Sequence, residues 1–383
     1  MTAWRIPLAD IDIGAEEISV VENVLQSRWL TMGRITQEFE TAFANYTGAK
    51  HALAVTNATA ALHMACMALG LKAGDEVIVP SLTFVATANA IRYAGATPVF
   101  ADILSENDLN ISSEAIETLV TERTRAIMLV HYGGYACDMP SIMELARKYN
   151  LKVIEDAAHA AGARLDDRHL GTWGNIGCFS FFSNKNMTTG EGGMLVTNDG
   201  ELYEVLRLLR SHGMTTLTWD RHRGHAWSYD VVEVGYNYRI DEIRAAIGMV
   251  QLKKLERNNA NRRHITQLYR DSLQDVPRLV IPFSEHPGIT SAHIMPVLLP
   301  LDSNRVNFME HMKAHGVQTS IHYPPIHKFS AYRYIKPPNS SQPHLPLTED
   351  IASREVTLPL YPAMTEKDVN YVVQGVVTAL LEC

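Results

Sequence analysis

The feature that most constrains this chain is a rhythm. Short apolar runs at residues 51–55, 76–79, 97–101, 126–130 and 151–154 alternate with stretches whose apolar residues recur at helical spacing. Strands buried on both faces read as near-continuous apolar runs rather than as alternating patterns. Strand and helix in turn predict an α/β domain, a mostly parallel sheet covered by helices on both faces. In such sheets functional groups collect at the carboxyl ends of the strands. Two of these ends carry chemistry. The 51–55 run leads into T-N-A-T-A-A-L, a polar turn opening an alanine-rich helix that ends near Gly70. A helix start offers N–H groups and the positive end of a dipole, which suits a phosphate, although an ordinary capped helix reads the same way. The 151–154 run ends in Glu155 and Asp156, and Asp156 reads either as a functional acid or as a helix cap.

Further helices are expected over 16–26, 36–47, 139–149 and 201–212, and one begins within 81–91. A loop with an exposed aromatic, Trp29, is expected at 27–33. Residues 213–229, rich in His, Arg, Trp and Thr, read as a long functional loop; Arg221, Arg223 and His225 in it suit nucleotide phosphates or a solvated face equally. A long amphipathic helix starts at 240 and continues to about residue 273. The domain boundary is placed inside it, giving a large domain over 1–255 and a smaller α+β domain over 256–383. The second is expected to hold strands at 294–299 and 317–323, a helix at 304–315, a Pro/Ser/Asn-rich loop at 336–346 and a final helix at 366–381.

Inside the large domain stands G-C-F-S-F-F-S-N-K-N-M-T-T-G-E-G-G-M-L-V-T-N-D, residues 177–199. It reads as a strand, a polar turn carrying Lys185, a glycine-rich bend and a second strand. Taken alone, Lys185 reads either as a solvated hairpin lysine or as one stripped of hydration among aromatic strand residues, which lowers its pKa and lets the neutral amine attack carbonyls.

The bulk numbers exclude several classes. A net charge of −8 without a basic tract argues against a nucleic-acid or membrane-surface binder. Cys66, Cys137, Cys178 and Cys383 have neither zinc nor disulfide spacing, and the N-terminus lacks a basic stretch followed by an apolar one; a cytoplasmic setting is expected. His322 and His327 flank a Pro-Pro turn and lack the spacing of a helical zinc pair, so no metal is expected.

Together the pieces fit pyridoxal 5'-phosphate (PLP). That cofactor needs a lysine for a Schiff base, an acid beside its ring nitrogen, an anion site for its phosphate and a flat apolar group against its ring. Lys185, Asp156, the helix start at Ala58 and Thr59, and Phe84 supply these in turn.

The chain resembles the nucleotide-sugar aminotransferases of the DegT/DnrJ/StrS family, which are fold-type I PLP enzymes. The likeness runs nearly end to end. It is carried by R-W-L-T-M-G (28–33), T-N-A-T-A-A-L (56–62), G-D-E-V-I-V-P-S-L-T-F (74–84) and E-D-A-A-H-A-A-G-A (155–163). It continues through F-S-F-F-S-N-K-N-M-T-T-G-E-G-G (179–193), G-Y-N-Y-R (235–239) and H-Y-P-P-I-H (322–327). The resemblance implies a large domain with a mostly parallel seven-stranded sheet and a smaller C-terminal domain. It implies that Lys185 holds the cofactor and shuttles a proton, that Asp156 pairs with the ring nitrogen, and that Phe84 stacks on the ring. Ala58, Thr59 and Ser180 would bind the phosphate, and Asn237 would reach the cofactor of a second subunit, which makes a homodimer with shared sites. His159 stands near the cofactor's 3-oxygen, where relatives often carry Gln. Trp29, Thr31, Met32, His322, Tyr323 and His327 are candidates for touching the sugar; Trp29 serves equally as core.

Some family members replace the lysine with histidine and dehydrate; Lys185 favours transamination. The segments 211–222 and 229–238 look more like members acting at C4 of the sugar than at C3. The expected reaction converts a nucleotide-linked (dTDP or UDP) 4-keto-6-deoxy sugar to its 4-amino sugar with L-glutamate as donor. Amination at C3, or of a keto-cyclitol, is the alternative. A PLP-binding regulator is the non-enzyme rival, but no basic recognition helix precedes the domain.

Overall fold

The computed structural model describes residues 4–216, 228–335 and 344–382. Seven strands form the main sheet: β1 (His51–Val55), β2 (Glu76–Pro80), β3 (Thr97–Ala101), β4 (Thr124–Val130), β5 (Lys152–Asp156), β8 (Ile176–Ser180) and β9 (Gly193–Thr197). A two-residue ladder, β6 (Arg164–Leu165) with β7 (Arg168–His169), lies between β5 and β8 in sequence. The order across the sheet is β1-β9-β8-β5-β4-β2-β3. β9 runs antiparallel to both neighbours, and the remaining pairs are parallel. The mostly parallel seven-stranded α/β expectation therefore holds. Its single reversed strand comes from the hairpin that carries Lys185.

β2, β8 and β9 are buried at every position, as a sheet covered on both faces requires. One face packs against Phe39 and Phe43 of α2 (Arg34–Thr47), which meet Phe179 and Phe181. The Phe43 and Phe179 rings stand edge-on, 5.0 Å apart, a favoured arrangement for aromatic quadrupoles. The other face carries Leu62 and Met64 of α3 (Ala58–Ala68) against Met128, Ile154 and Leu195. α4 (Ala86–Tyr93) and α7 (Gly200–Arg210) join α3 on this face, α5 (Ser113–Leu119) and α6 (Met139–Lys148) join α2 on the first, and α1 (Ala15–Ser27) packs on the long helix that begins at Glu242.

The long helix α8 (Glu242–Leu273) has 32 residues, about 48 Å at the usual rise. It packs on α1 and α2 near its start and on α11 (Glu366–Glu382) further along. A second core gathers there from Ile265, Tyr269, Phe308 and Val372, with β10 (Met295–Leu298) and β11 (Glu355–Leu358) as an antiparallel pair. α9 (Arg305–Ala314) and α10 (Pro346–Arg354) flank it. Ile6 belongs to this second core, and the N–H groups of Arg5 and Ile6 donate to Gly316 O. The N-terminal stretch thus packs away from the large-domain core with which residues 1–255 were grouped.

The strand expected at 317–323 does not form. Val317 and Ser320 make only isolated bridges, to Ile6 and Thr357. The N–H of His322 donates to the Glu355 carboxyl instead of to a ladder. α5, α10 and β11 were absent from the sequence expectations.

Candidate active site

The carboxyl ends of β5 and β8, the start of α3 and the Lys185 turn surround one cleft of about 480 Å³. Each wall has a local cause. Asn57 caps α3 by accepting from Ala60 N–H at 2.8 Å, and the first intrahelical bond runs from Ala61 N–H to Asn57 O. The N–H groups of Ala58 and Thr59 therefore lie ahead of the helical ladder, at the positive end of the dipole. The hairpin can approach this helix start because residue 193 is glycine: a Cβ there would stand 2.6 Å from the Asn57 carbonyl carbon. Gly190 turns the bend with φ +78°, a region that side chains other than glycine enter at a cost.

Asp156 closes β5. Its carboxylate accepts from Thr87 Oγ1 at 2.8 Å and from Ala158 N–H at 3.2 Å. Burial raises its pKa, and these bonds and the Lys185 charge oppose the rise. Lys185 lines the cleft while its amine is enclosed; burial lowers its pKa to about 8, against the pull of Asp156. Nearly a tenth of such an amine is uncharged at neutral pH, against well under a thousandth for an exposed lysine, which titrates at about 10.4.

The imidazole of His159 receives Gly133 N–H on Nδ1 at 3.3 Å, so its Nε2 carries the proton and donates to Tyr323 Oη at 3.0 Å. Burial first, then the Lys185 charge, holds His159 well below the ordinary histidine range. His322 falls to about 4 for the same two reasons, and burial raises the Tyr323 phenol. The wall facing Lys185 is therefore uncharged and rich in hydrogen-bonding groups. Phe84, 57% exposed, lines the cleft with its ring 6.0 Å from the Tyr323 ring. Ser180, at the end of β8, also lines it.

The structure thus brings Ala58, Thr59, Phe84, Asp156, His159, Ser180, Lys185, His322 and Tyr323 to one cleft. It does not bring His327 there. That imidazole is buried, with Nδ1 2.7 Å from Ser81 Oγ and Nε2 3.1 Å from Glu349 Oε1. Trp29, Thr31 and Met32 also lie outside the lining: Met32 is buried, Thr31 is exposed, and a Cβ on Gly33 would strike the Trp29 ring at 2.6 Å. Asn237 is exposed and away from this cleft, paired through a bridge with Ser211. Trp219, Arg221, Arg223 and His225 fall outside the described residues. Sequence reasoning missed His293, whose Nε2 is 3.4 Å from Lys185 Nζ. It sits in S-A-H-I, with no spacing that points to a lysine so far back in the chain.

The groups present fit PLP. An enclosed amine of lowered pKa suits the aldehyde, a buried carboxyl suits a protonated ring nitrogen, and a helix start with nearby hydroxyls suits the phosphate. The chain matches the DegT/DnrJ/EryC1/StrS aminotransferase family over residues 11–377.

The chain belongs to that family.

It is a PLP-dependent aminotransferase of fold type I. It is 40% identical over 378 residues to the spore coat polysaccharide biosynthesis protein SpsC of Bacillus subtilis, covering 97% of this chain and 95% of that one. Helicobacter pylori PseC, an aminotransferase of pseudoaminic acid biosynthesis, superposes with a TM-score of 0.90 at 30% identity, over 99% of this chain and 100% of the other. The PLP form of Spr1654 from Streptococcus pneumoniae superposes at 0.89 with 26% identity, over 98% and 99% of the two chains. Among the described residues no helix is long and apolar enough to cross a membrane.

Proposed function

We propose that this enzyme aminates C4 of a nucleotide-linked (dTDP or UDP) 4-keto-6-deoxy sugar, taking the nitrogen from L-glutamate. The observation that carries the reading is the enclosed Lys185 amine, with a pKa lowered to about 8, in a cleft that also holds Asp156 and the start of α3. PLP, when bound, supplies an electron sink that makes the Cα–H of an attached amine acidic. Lys185 Nζ holds the cofactor between turnovers. With the cofactor bound, the freed amine would carry a proton between the donor's Cα and the cofactor side. Asp156 pairs with the ring nitrogen, and the bonds from Thr87 and Ala158 keep its carboxylate aimed. Ala58, Thr59 and Ser180 would hold the phosphate, Phe84 would cover the ring, and His159 would stand at the 3-oxygen. The net exchange turns the donor into its 2-oxo acid and the sugar's C=O into C–NH₂.

His322 and Tyr323 are the sugar contacts in this reading: uncharged donors and acceptors suit hydroxyl groups better than fixed charges do. SpsC, of spore coat polysaccharide biosynthesis, and PseC, of pseudoaminic acid biosynthesis, support a sugar substrate. The resemblance of residues 229–238 to members acting at C4 supports the position of amination. Exposed Asn237 is assigned to the phosphate of a second copy, so the enzyme works as a cytoplasmic homodimer. The large and small domains meet within α8 near residue 255, with the first residues of the chain joining the small one.

The test is an assay of purified enzyme with L-glutamate and a panel of ketosugar nucleotides and keto-cyclitols. The 4-keto-6-deoxy sugar should be aminated fastest, with trapped product bearing nitrogen on C4. Amination confined to a 3-keto sugar or a cyclitol would contradict the assignment.

A further inference from the structure

Behind Lys185, on the side away from the cleft, runs a chain of side chains whose orientation can be fixed link by link. It begins at the carbonyl oxygen of Ala161, which can only accept. Asn259 Nδ2, on α8, donates to it at 2.8 Å, so Asn259 turns its Oδ1 the other way. Asn186 Nδ2 donates to that Oδ1 at 2.7 Å and to the carbonyl of Ser291 at 2.7 Å. Two acceptors on one nitrogen settle which end of the Asn186 amide is which. Its Oδ1 therefore accepts from His293 Nδ1 at 2.8 Å, and that ring nitrogen must carry the proton. What remains is Nε2 with a bare lone pair, 3.4 Å from Lys185 Nζ.

We propose that His293 is the positioning residue of Lys185: an Nδ1-protonated imidazole whose Nε2 lone pair takes one Nζ–H and so directs the lysine's own lone pair into the cleft. This rests on Lys185 being the cofactor amine. A free amine has two N–H bonds and one lone pair and rotates about Cε–Nζ. Facing Nε2, the amine must present an N–H, because two lone pairs repel. The lone pair is then left for the cleft, where a carbonyl carbon or a substrate proton is met.

The surroundings keep the arrangement in one protonation state. Burial first, with the charges of Lys185 and Arg262, holds His293 well below the ordinary histidine range, so it stays an acceptor. The ring itself is clamped. The His159 ring lies 4.4 Å away, and Arg262 Nη1, also on α8, donates to the His293 carbonyl at 3.3 Å and to Leu360 O at 2.9 Å. His293 does not line the cleft but borders a void of about 20 Å³ behind it, room for a single water. Outside the cleft's lining, the residue acts through Lys185, so its part is to aim the amine.

The test uses His293→Phe, which keeps a ring and loses the acceptor, and His293→Gln, which restores an acceptor. Three readouts separate aiming from structure: the rate at which the stripped protein regains the visible band of lysine-bound PLP, the affinity for pyridoxamine phosphate, and turnover. Pyridoxamine phosphate fills the same site without reacting with lysine. His293→Phe should slow band formation and turnover by about 10- to 100-fold with pyridoxamine phosphate affinity and KM for the donor within about threefold; His293→Gln should recover most of the loss. Wild-type rates in His293→Phe would overturn the proposal, as would equal losses in both variants. Nitrogen NMR of the wild-type protein decides independently of any variant's folding. His293 should show a protonated Nδ1 and a bare Nε2 from pH 6 to 9, and a proton on Nε2 would also overturn it. Lys185→Ala distinguishes this from the function itself: if that variant keeps the band and turnover, the lysine assignment fails; if it loses both while His293→Phe is unaffected, only the positioning role fails.

Discussion

Glu155 and Asp156 are neighbours on β5, both buried, and they belong to different parts of the molecule. Successive side chains on a strand point to opposite faces. Glu155 turns into the scaffold, where it accepts from His131 Nε2 at 3.0 Å, Gly171 N–H at 2.7 Å and Gly174 N–H at 2.6 Å. His131 receives Cys137 N–H on Nδ1, so its other nitrogen is a donor. Asp156 turns to the cleft, with two protein donors and its remaining capacity open to what binds there. A fully partnered carboxylate locks strand ends and loops together. A carboxylate left partly unpartnered, whose pKa burial raises, holds electrostatic capacity in reserve for a ligand's positive nitrogen.

The sharpest way to break this comparison is to neutralise each acid in turn. Asp156→Asn should lower kcat by about a thousandfold, because an amide cannot hold the ring nitrogen protonated, while the thermal midpoint of the cofactor-free protein stays the same or rises. Glu155→Gln should do the reverse. Its amide keeps one acceptor oxygen and turns an NH₂ towards at least one of the three existing donors, at a cost of about 2–4 kcal/mol read by denaturant unfolding, while kcat per folded molecule changes little. A large activity loss with full stability in Glu155→Gln would erase the distinction.

A smaller effect sharpens it through pH. Lys185 has a folded pKa of about 8 against 10.5 for an ordinary lysine. Between these values the unfolded chain binds the extra proton, so the lysine's contribution makes cofactor-free protein more stable as pH rises from 8 towards 10.5. Asp156 contributes the other way: with its folded pKa raised, its part is lost as pH rises through that value. The rate of PLP capture follows the free amine. It should climb about tenfold from pH 7 to 9 and then level; a climb continuing past pH 10 would mean an ordinary, hydrated lysine.

Much of the cleft was legible because strand ends are legible. β1 and β3 fall where the apolar runs put them, and Asp156 was found as the end of a run. The Lys185 turn stood out by its glycines. What escaped has physical reasons. α5 buries only Ile116 and is too short to show a period. The 317–323 segment has strand-like composition, but its backbone groups bond to side chains and single bridges. His327 and His322 share one motif, yet Ser81 and Glu349 take the first into the scaffold while the second meets the cleft. His293 reaches Lys185 only through the packing of the second core beside α8, a long-range fact that no local spacing encodes.

The central claim is that Lys185 is the amine that holds PLP. Borohydride reduction of the holoenzyme fixes the cofactor to whichever lysine carries it, and peptide mass spectrometry reads the position. The account predicts the phosphopyridoxyl mass on the peptide containing Lys185 and on no other; the label on a different lysine, or no label in enzyme that still turns over, would contradict it.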